Sequence, residues 1–147
     1  MKKASSELLL LDVNVLLAIA WPNHQFHAAA RRRLEKTRSR WATCALTQLG
    51  FVRLSSNPAV VTVAKRPGEA LALLAVLVSD DRHEYLASLA SPAEPETRPI
   101  FDTLLGPGQV TDAYLLSLAR HHRAVLVTFD ARLKELSRSV SEVEILL

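Results

Sequence analysis

The chain has 147 residues, of which 49% are hydrophobic and 22% are charged, with a formal net charge of +3. This composition is typical of a globular protein with one core and excludes an intrinsically disordered chain. No apolar run approaches the roughly 18 residues that a membrane span requires, and the run at 8–11 is too short for a signal peptide, so we expect a cytoplasmic protein without membrane contact. Cys44 is the single cysteine, which excludes an internal disulfide and a thiolate zinc cluster.

The first predicted element is a buried strand at residues 8–11, where four leucines precede Asp12 and Asn14 follows two positions later. The apolar run continues over residues 15–20. Continuous apolar runs are typical of parallel strands covered on both faces, and open parallel sheets bind ligands at the carboxyl ends of such strands. The pattern predicts that the strand carries Asp12 to the edge of a sheet. Because Val13 gives no sign of a helix start, we expect Asp12 to serve a site and not a helix cap.

A basic helix is predicted at residues 24–36, after Pro22 interrupts the chain and Asn23 offers a cap. Six cations stand against one acid between positions 31 and 40, and most of the arginines are expected to point outward. Such a face suits an anionic partner such as nucleic acid, while a solvated helix surface is the alternative. The candidate substrate-binding residues on this face are Arg31, Arg32 and Lys36.

The middle of the chain alternates between apolar segments and breaks. A second strand is predicted at residues 41–46, followed by a helix to residue 55 that Thr47 would cap. An apolar helix with a proline in its first turn is predicted at 67–78. The next three segments are a strand or turn that the pattern does not distinguish, a proline-containing loop and one helical turn, at residues 84–90, 91–99 and 101–105.

The last third contains a helix and then an apolar strand that ends near an acid. The helix at 110–122 has Asp112 in its first turn, and Asp130 follows the strand at 124–128. A short helix and a last apolar strand follow, at residues 131–136 and 143–147. Apolar strands that alternate with helices imply right-handed crossovers, so the predicted fold class is α/β, a three-layer sandwich around a central, mostly parallel sheet.

Three aspartates are predicted to converge at one edge of this sheet, because Asp12 and Asp130 follow two strands and Asp112 opens the helix between them. Three carboxylates at close range repel each other unless a cation neutralises them. Hard oxygen ligands favour Mg²⁺, with Mn²⁺ as the alternative, and the implied chemistry is hydrolysis of a phosphodiester bond. Asp112 or Asp130 alone would also be explained as a carboxylate at a helix N-terminus.

Three short blocks resemble the signature motifs of PIN-domain nucleases, most closely the VapC toxins of bacterial type II toxin–antitoxin pairs. The blocks are Leu-Asp-Val-Asn-Val-Leu-Leu at 11–17, Thr-Asp-Ala-Tyr-Leu-Leu at 111–116 and Val-Thr-Phe-Asp at 127–130. The stretch at 41–55 is similar to a block of one subgroup of these toxins. The similarity covers most of the chain, so residues 1–147 are expected to form a single PIN-like nuclease domain.

The resemblance implies a Mg²⁺-dependent endoribonuclease in which Asp12, Asp112 and Asp130 are the catalytic residues and the ligands of one or two metal ions. Asn14 and Thr128 would orient carboxylates or water around the metal. The resemblance also implies a homodimer and a cognate antitoxin protein that blocks the site. DNA would be bound only indirectly, through the antitoxin.

One departure from the family pattern lies in the helix after the second strand, where the family usually has a glutamate. This chain has Gly50 at the matching position and Gln48 nearby. A catalytically weak or inactive PIN-like domain that binds RNA or protein is therefore one alternative. A phospho-acceptor domain, which also places aspartates at strand ends, is the other.

Overall fold

The computed structural model describes residues 7–139 and 141–146. Within these residues, the centre is a five-stranded sheet. Its strands are β1 (Leu8–Leu11), β2 (Arg40–Thr43), β3 (His83–Tyr85), β4 (Val125–Thr128) and β5 (Val143–Ile145). They lie in the order β3-β2-β1-β4-β5, and neighbouring strands are parallel. The predicted α/β class is confirmed, and the sheet is parallel throughout.

Helices cover both faces of the sheet. They are α1 (Val13–Ala20), α2 (His27–Thr37), α3 (Ala45–Ser55), α4 (Pro67–Val78) and α5 (Val110–His121), with 3₁₀ turns at Arg98–Ile100, Pro107–Gln109 and Ala131–Leu136. Leu9 and Leu11 of β1 pack with α1 to α4, whereas Leu8 and Leu10 pack with α5 on the opposite face. Because successive side chains of a strand point to opposite faces, β1 contributes to both cores and lies in the middle of three layers.

Helix α1 differs from the expected continuation of an apolar run. Its residues Val15 to Ile19 are all buried, and a helix that is buried over most of its length lacks the periodicity that distinguishes it from a strand. Asp12 is the N-cap of α1, and its Oδ1 accepts a hydrogen bond from the Val13 backbone N–H at 2.8 Å. The expectation that Asp12 does not cap a helix is therefore wrong, because the start signal is the aspartate itself and not the residue after it.

Two other helices begin at positions different from those predicted. α2 starts at His27 instead of residue 24, and Asn23 is not its cap. α3 starts at Ala45, so β2 is shorter than the predicted strand. Thr47 lies inside the first turn of α3, where its hydroxyl accepts from the Cys44 backbone N–H at 3.0 Å. The N-cap of α3 is Cys44, so the expectation that Thr47 is the cap is wrong, although its hydroxyl pairs with the backbone of the cap residue.

The remaining differences are local. The segment left open at 84–90 forms the short strand β3 at its beginning, and residues 101–103 form a turn instead of a helix. β5 ends at Ile145, and residue 147 of the predicted last strand lies outside the described residues. In the described part of the chain, no helix combines the length and the apolar character needed to cross a bilayer.

Candidate active site

Asp12, Asp112 and Asp130 lie at one edge of the sheet, which we call the acidic edge. This edge lies where the strand order reverses. From β1 the chain moves outward to β2 and β3, and it returns on the other side of β1 to form β4 and β5. Open α/β sheets bind ligands in the crevice at such a switch point, outside the carboxyl ends of the strands. Asp12 directly follows β1, and its backbone N–H donates to the Val127 carbonyl at 2.9 Å. Asp130 follows β4 after Phe129, so both aspartates lie at this crevice.

Thr128 connects these two aspartates. It is 1% exposed, and its hydroxyl donates to Oδ2 of Asp12 at 2.7 Å and accepts from the backbone N–H of Asp130 at 3.1 Å. The bond from Val13 holds the other oxygen of Asp12. Both oxygens of Asp12 therefore have a fixed orientation, and the position of Thr128 fits the orienting role expected for it.

Asp112 joins the edge from the first turn of α5. Burial raises the pKa of Asp112, and the negative charges of Asp12 and Asp130 raise it further. The positive charge of Arg132 lowers the pKa of Asp112 by less than these effects raise it. The three aspartates that the sequence predicted to converge are therefore close enough to interact electrostatically.

Asp12 and Asp112 are the two carboxyl groups of this edge whose pKa values are raised. Burial raises the pKa of Asp12 despite the bonds from Thr128 and Val13, and the charge of Asp130 adds to the increase. Two carboxylates with raised pKa values at one edge are stabilised when a cation neutralises them. The groups at this edge offer carboxylate and hydroxyl oxygens, which suit Mg²⁺ or Mn²⁺ better than zinc.

Asp130 forms an ion pair with Arg132. Arg132 donates to its Oδ1 from the backbone N–H and from Nε, both at 3.0 Å, and to its Oδ2 from Nη2 at 2.9 Å. These bonds lower the pKa of Asp130. Over residues 7–139 and 141–146, no three His, Cys, Asp or Glu side chains are arranged to enclose a metal ion. Arg132 was not among the residues predicted for this site, and its one signal in the sequence is its place two positions after Asp130.

The position of the absent glutamate lies against α1. A Cβ atom added at Gly50 would be 2.8 Å from Cγ2 of Val13, the residue after Asp12, so the two helices are in close contact there. Gln48 donates from Nε2 to the hydroxyl of Thr43 at 3.0 Å, at the carboxyl end of β2. Neither position supplies an acid.

The three candidate substrate-binding cations are exposed on α2. They are Arg31, Arg32 and Lys36. The charges that shift the pKa values of the three aspartates include that of Arg132 and none from α2. Arg33 of the same helix points inward, where its Nη2 donates to Oε1 of Glu144 at 2.9 Å. The structure thus keeps the α2 cations outside the hydrogen-bond network of the acidic edge.

Aromatic rings flank the edge beside Asp130. The Phe129 ring lies 4.8 Å from that of Phe26 and 6.2 Å from that of His24, measured between centroids. These contacts were not predictable from the sequence, since they depend on the turn between α1 and α2 that carries His24 and Phe26. Asn14 is exposed in the first turn of α1, without a hydrogen bond from its side chain to another described residue.

An apolar groove of about 760 Å³ borders the edge at the start of α5, where Thr111 lines it beside Asp112. Its wall includes side chains that are strongly exposed for their type, Leu49 at 66%, Val110 at 48% and Leu46 at 37%. Exposed apolar surface of this extent is typical of a contact surface for another molecule.

Comparisons with known proteins identify the family. Residues 9–139 match the model of the PIN domain. Ribonuclease VapC39 of Mycobacterium tuberculosis is 40% identical over 145 residues, which cover 93% of this chain and 98% of that protein. Ribonuclease VapC38 of the same organism is 43% identical over 123 residues, covering 83% and 84% respectively.

A solved structure shows the same fold. VapBC2 from Rickettsia felis, crystallised with a DNA fragment from its promoter, superposes with a TM-score of 0.64 at 15% identity, covering 95% of this chain and 98% of that one. The resemblance noted in the sequence is confirmed. The chain belongs to the PIN-domain family, among the VapC ribonucleases.

Proposed function

We propose that this chain, as a single nuclease domain, is the toxin of a type II toxin–antitoxin pair and hydrolyses RNA phosphodiester bonds as an endoribonuclease. The observation that carries the proposal is the convergence of Asp12, Asp112 and Asp130 at the switch point of the sheet, where burial and mutual repulsion raise the pKa of the first two. RNA as the substrate is supported by the names of the relatives VapC38 and VapC39, which are ribonucleases.

We propose Mg²⁺ as the cofactor, with Mn²⁺ able to replace it. Asp12 and Asp112 would hold the ion, and Asp130 would complete the set of ligands or position a water molecule. A bound cation of this kind neutralises phosphate charge and makes a water molecule more acidic, which supplies a nucleophile at neutral pH. The support is the donor set, which consists of oxygen atoms with excess negative charge.

The chain's own residues supply orientation and binding. Thr128 and the backbone N–H of Val13 hold the two oxygens of Asp12. Asn14 lies two positions after Asp12, is exposed in the first turn of α1 and would orient water or substrate. The exposed cations of α2 would bind phosphates farther along the RNA, through charge and without reading the bases.

Cleavage of an RNA hairpin by the purified protein in Mg²⁺ tests the catalytic assignment. Asp12→Asn and Asp112→Asn should each lower the rate roughly 100-fold or more, as expected when a directly acting group is lost. Asp81→Asn is the matched control, because Asp81 is an exposed acid that precedes β3 at the opposite edge of the sheet. Wild-type rates in Asp12→Asn, or undiminished cleavage in EDTA, would refute the assignment.

A second candidate function is that of a PIN-like domain that binds RNA without cleaving it. The pairing of Asp130 with Arg132 and the glycine at position 50 favour it, because both reduce the number of carboxylates available to a metal. This candidate predicts RNA affinity that falls steeply with salt and does not change with Mg²⁺. Titration of RNA binding against NaCl, with and without Mg²⁺, separates the two functions.

We also propose that the chain forms a homodimer, with the apolar groove packed against a second copy. The support is the exposure of Leu49 in the groove wall. Light scattering should show a dimer that Leu49→Glu dissociates. Leu71→Glu, on the exposed side of α4, should leave the dimer intact. A wild-type monomer at micromolar concentration would contradict the proposal.

The second proposed partner is a cognate antitoxin that covers the acidic edge in the cytoplasm. The fold shared with a chain of VapBC2, a complex bound to promoter DNA, supports this partner and an indirect contact with DNA. Co-expression with the product of the neighbouring reading frame should give a complex that does not cleave RNA. Only the complex, and not the isolated chain, should retard promoter DNA in a gel.

A further inference from the structure

Arg132 is placed unusually for a surface arginine. Its side chain is 85% exposed, yet its backbone N–H, Nε and Nη2 all donate to the carboxylate of Asp130. The Nε and Nη2 bonds reach different oxygens, so the guanidinium pairs with the carboxylate in a bidentate way. Both oxygens of Asp130 are therefore occupied by one residue.

This pairing conflicts with a metal ion at the same edge. A divalent cation held by Asp12 and Asp112 would attract Asp130 as well, since Asp130 already acts electrostatically on both of them. The guanidinium and the cation would then compete for the same oxygens and repel each other. The described hydrogen bonds of the guanidinium all go to Asp130, and the side chain is otherwise exposed. Arg132 can therefore leave without breaking another hydrogen bond of the described residues, although it gives up a weaker electrostatic attraction to Asp112 and Glu135.

A displaced guanidinium at this position remains next to the reaction site. The backbone bond from Arg132 to Asp130 starts in the main chain of the 3₁₀ turn, so the base of the side chain does not move far. The planar fork that fits a carboxylate also fits two oxygens of a phosphate. An RNA phosphate bound at the acidic edge would thus offer Arg132 a replacement for Asp130.

We propose that Arg132 is a phosphate-binding residue of the active site, which pairs with Asp130 in the free protein, yields that carboxylate to the divalent cation and then binds a phosphate of the RNA. This inference rests on the proposed function, because it requires both the metal and the RNA. Arg132 then opposes binding of the divalent cation and promotes binding of the RNA.

Substitution of Arg132 should therefore change the two affinities in opposite directions. A purely structural role, such as stabilising the turn, would weaken both. A general effect of positive charge would be reproduced by any nearby cation. Lys134 provides the matched control, because it is exposed in the same 3₁₀ turn and its side chain makes no hydrogen bond to another described residue.

The first measurement is calorimetric titration of Mn²⁺ into the full chain without RNA. Arg132→Gln should bind Mn²⁺ roughly three- to tenfold more tightly than the wild type, because a competing and repelling charge has been removed from an exposed site. Lys134→Gln should stay within about twofold of the wild type, since it leaves Asp130 paired. Asp112→Asn is included because loss of Mn²⁺ binding in this variant identifies the acidic edge as the place where Mn²⁺ binds.

The second measurement is RNA binding by fluorescence anisotropy with a hairpin in Ca²⁺, with the RNA shown to be intact on a gel afterwards. Arg132→Gln should bind the hairpin roughly five- to twentyfold more weakly, as expected for loss of a bidentate phosphate contact. Arg132→Lys should recover part of that affinity, because lysine binds phosphate as a point charge. Lys134→Gln should show a smaller loss than Arg132→Gln.

The outcomes separate this inference from the function on which it rests. Mn²⁺ binding that Asp112→Asn abolishes but Arg132→Gln leaves unchanged or weakens refutes the inference alone. Unchanged RNA affinity in Arg132→Gln, or equal effects in Lys134→Gln, also refutes it. Absence of Mn²⁺ binding in every variant and in the wild type refutes the proposed metal site, and the inference with it.

Discussion

Replacing Thr128 by valine tests how the acidic edge is held. Valine has nearly the same shape but lacks the hydroxyl that donates to Asp12 at 2.7 Å and accepts from the Asp130 backbone at 3.1 Å. A hydrogen bond to a charged group contributes about 1.5–3 kcal/mol. Because Thr128 is buried, water does not replace the bond easily. Without metal, we expect a loss of about 2–3 kcal/mol in the free energy of unfolding at neutral pH.

The loss of stability in Thr128→Val should increase with pH. The bond from Thr128 lowers the pKa of Asp12, while burial raises it above the ordinary value of 3.8. Losing the bond raises that pKa further, so the folded variant retains its proton to higher pH than the folded wild type does. The variant therefore loses stability relative to the wild type as the pH rises above 3.8 through the two folded pKa values, and the difference is complete above both.

Urea unfolding in EDTA measures this difference at a pH near 4 and again at a pH near 7.5. The midpoint of Thr128→Val should fall by about 1 M at the higher pH, and by much less at the lower one. Thr128→Ser retains the hydroxyl and should show a smaller loss that does not vary with pH. An equal loss for Thr128→Val at both pH values would refute this account of Asp12.

Three further outcomes are expected. Gly50→Ala should cost about 1–3 kcal/mol in unfolding experiments because its Cβ would be 2.8 Å from Val13, and Val13→Ala should restore much of the loss; simple additivity of the two changes would count against the contact. Asp112→Asn should stabilise the metal-free protein increasingly as pH rises above 3.8, since ionisation of a carboxyl with a raised pKa destabilises the fold, and a thermal scan showing no pH trend would contradict it. Changing the three exposed cations of α2 to glutamine should weaken RNA binding and reduce the slope of log affinity against log salt by about 2, unless that helix makes no phosphate contact. These cations are Arg31, Arg32 and Lys36.

The sequence predicted the features of the fold that follow from long-range pattern. The apolar runs before Asp12 and Asp130 indicated central strands, and β1 and β4 lie side by side. Parallel strands require crossovers of one hand, which leaves few arrangements of the helix that carries Asp112. The convergence of the acids at one edge was therefore predictable from topology, although their roles remain predictions.

What the sequence did not predict depends on local packing. Helix α1 is buried over Val15 to Ile19 and lacks an amphipathic pattern, so the sequence indicated only a continuing apolar run. The contact between Gly50 and Val13 depends on how closely α1 and α3 approach. The pairing of Arg132 with Asp130 depends on the local turn, in which the Asp130 carboxylate caps the 3₁₀ segment by accepting from the Arg132 backbone N–H.

The strand order also determines when this edge forms during synthesis. Leu10 of β1 is in register with Leu126 of β4, and the hydroxyl that orients Asp12 comes from a residue 116 positions later in the chain. Pairing between strands this far apart in sequence is slow to form, because a long loop must close before contacts between the strands stabilise it. A nascent chain therefore carries Asp12 without its partner until nearly the whole domain has left the ribosome. Products that terminate before Val125 contain the first acid of the edge but lack the strand that completes it.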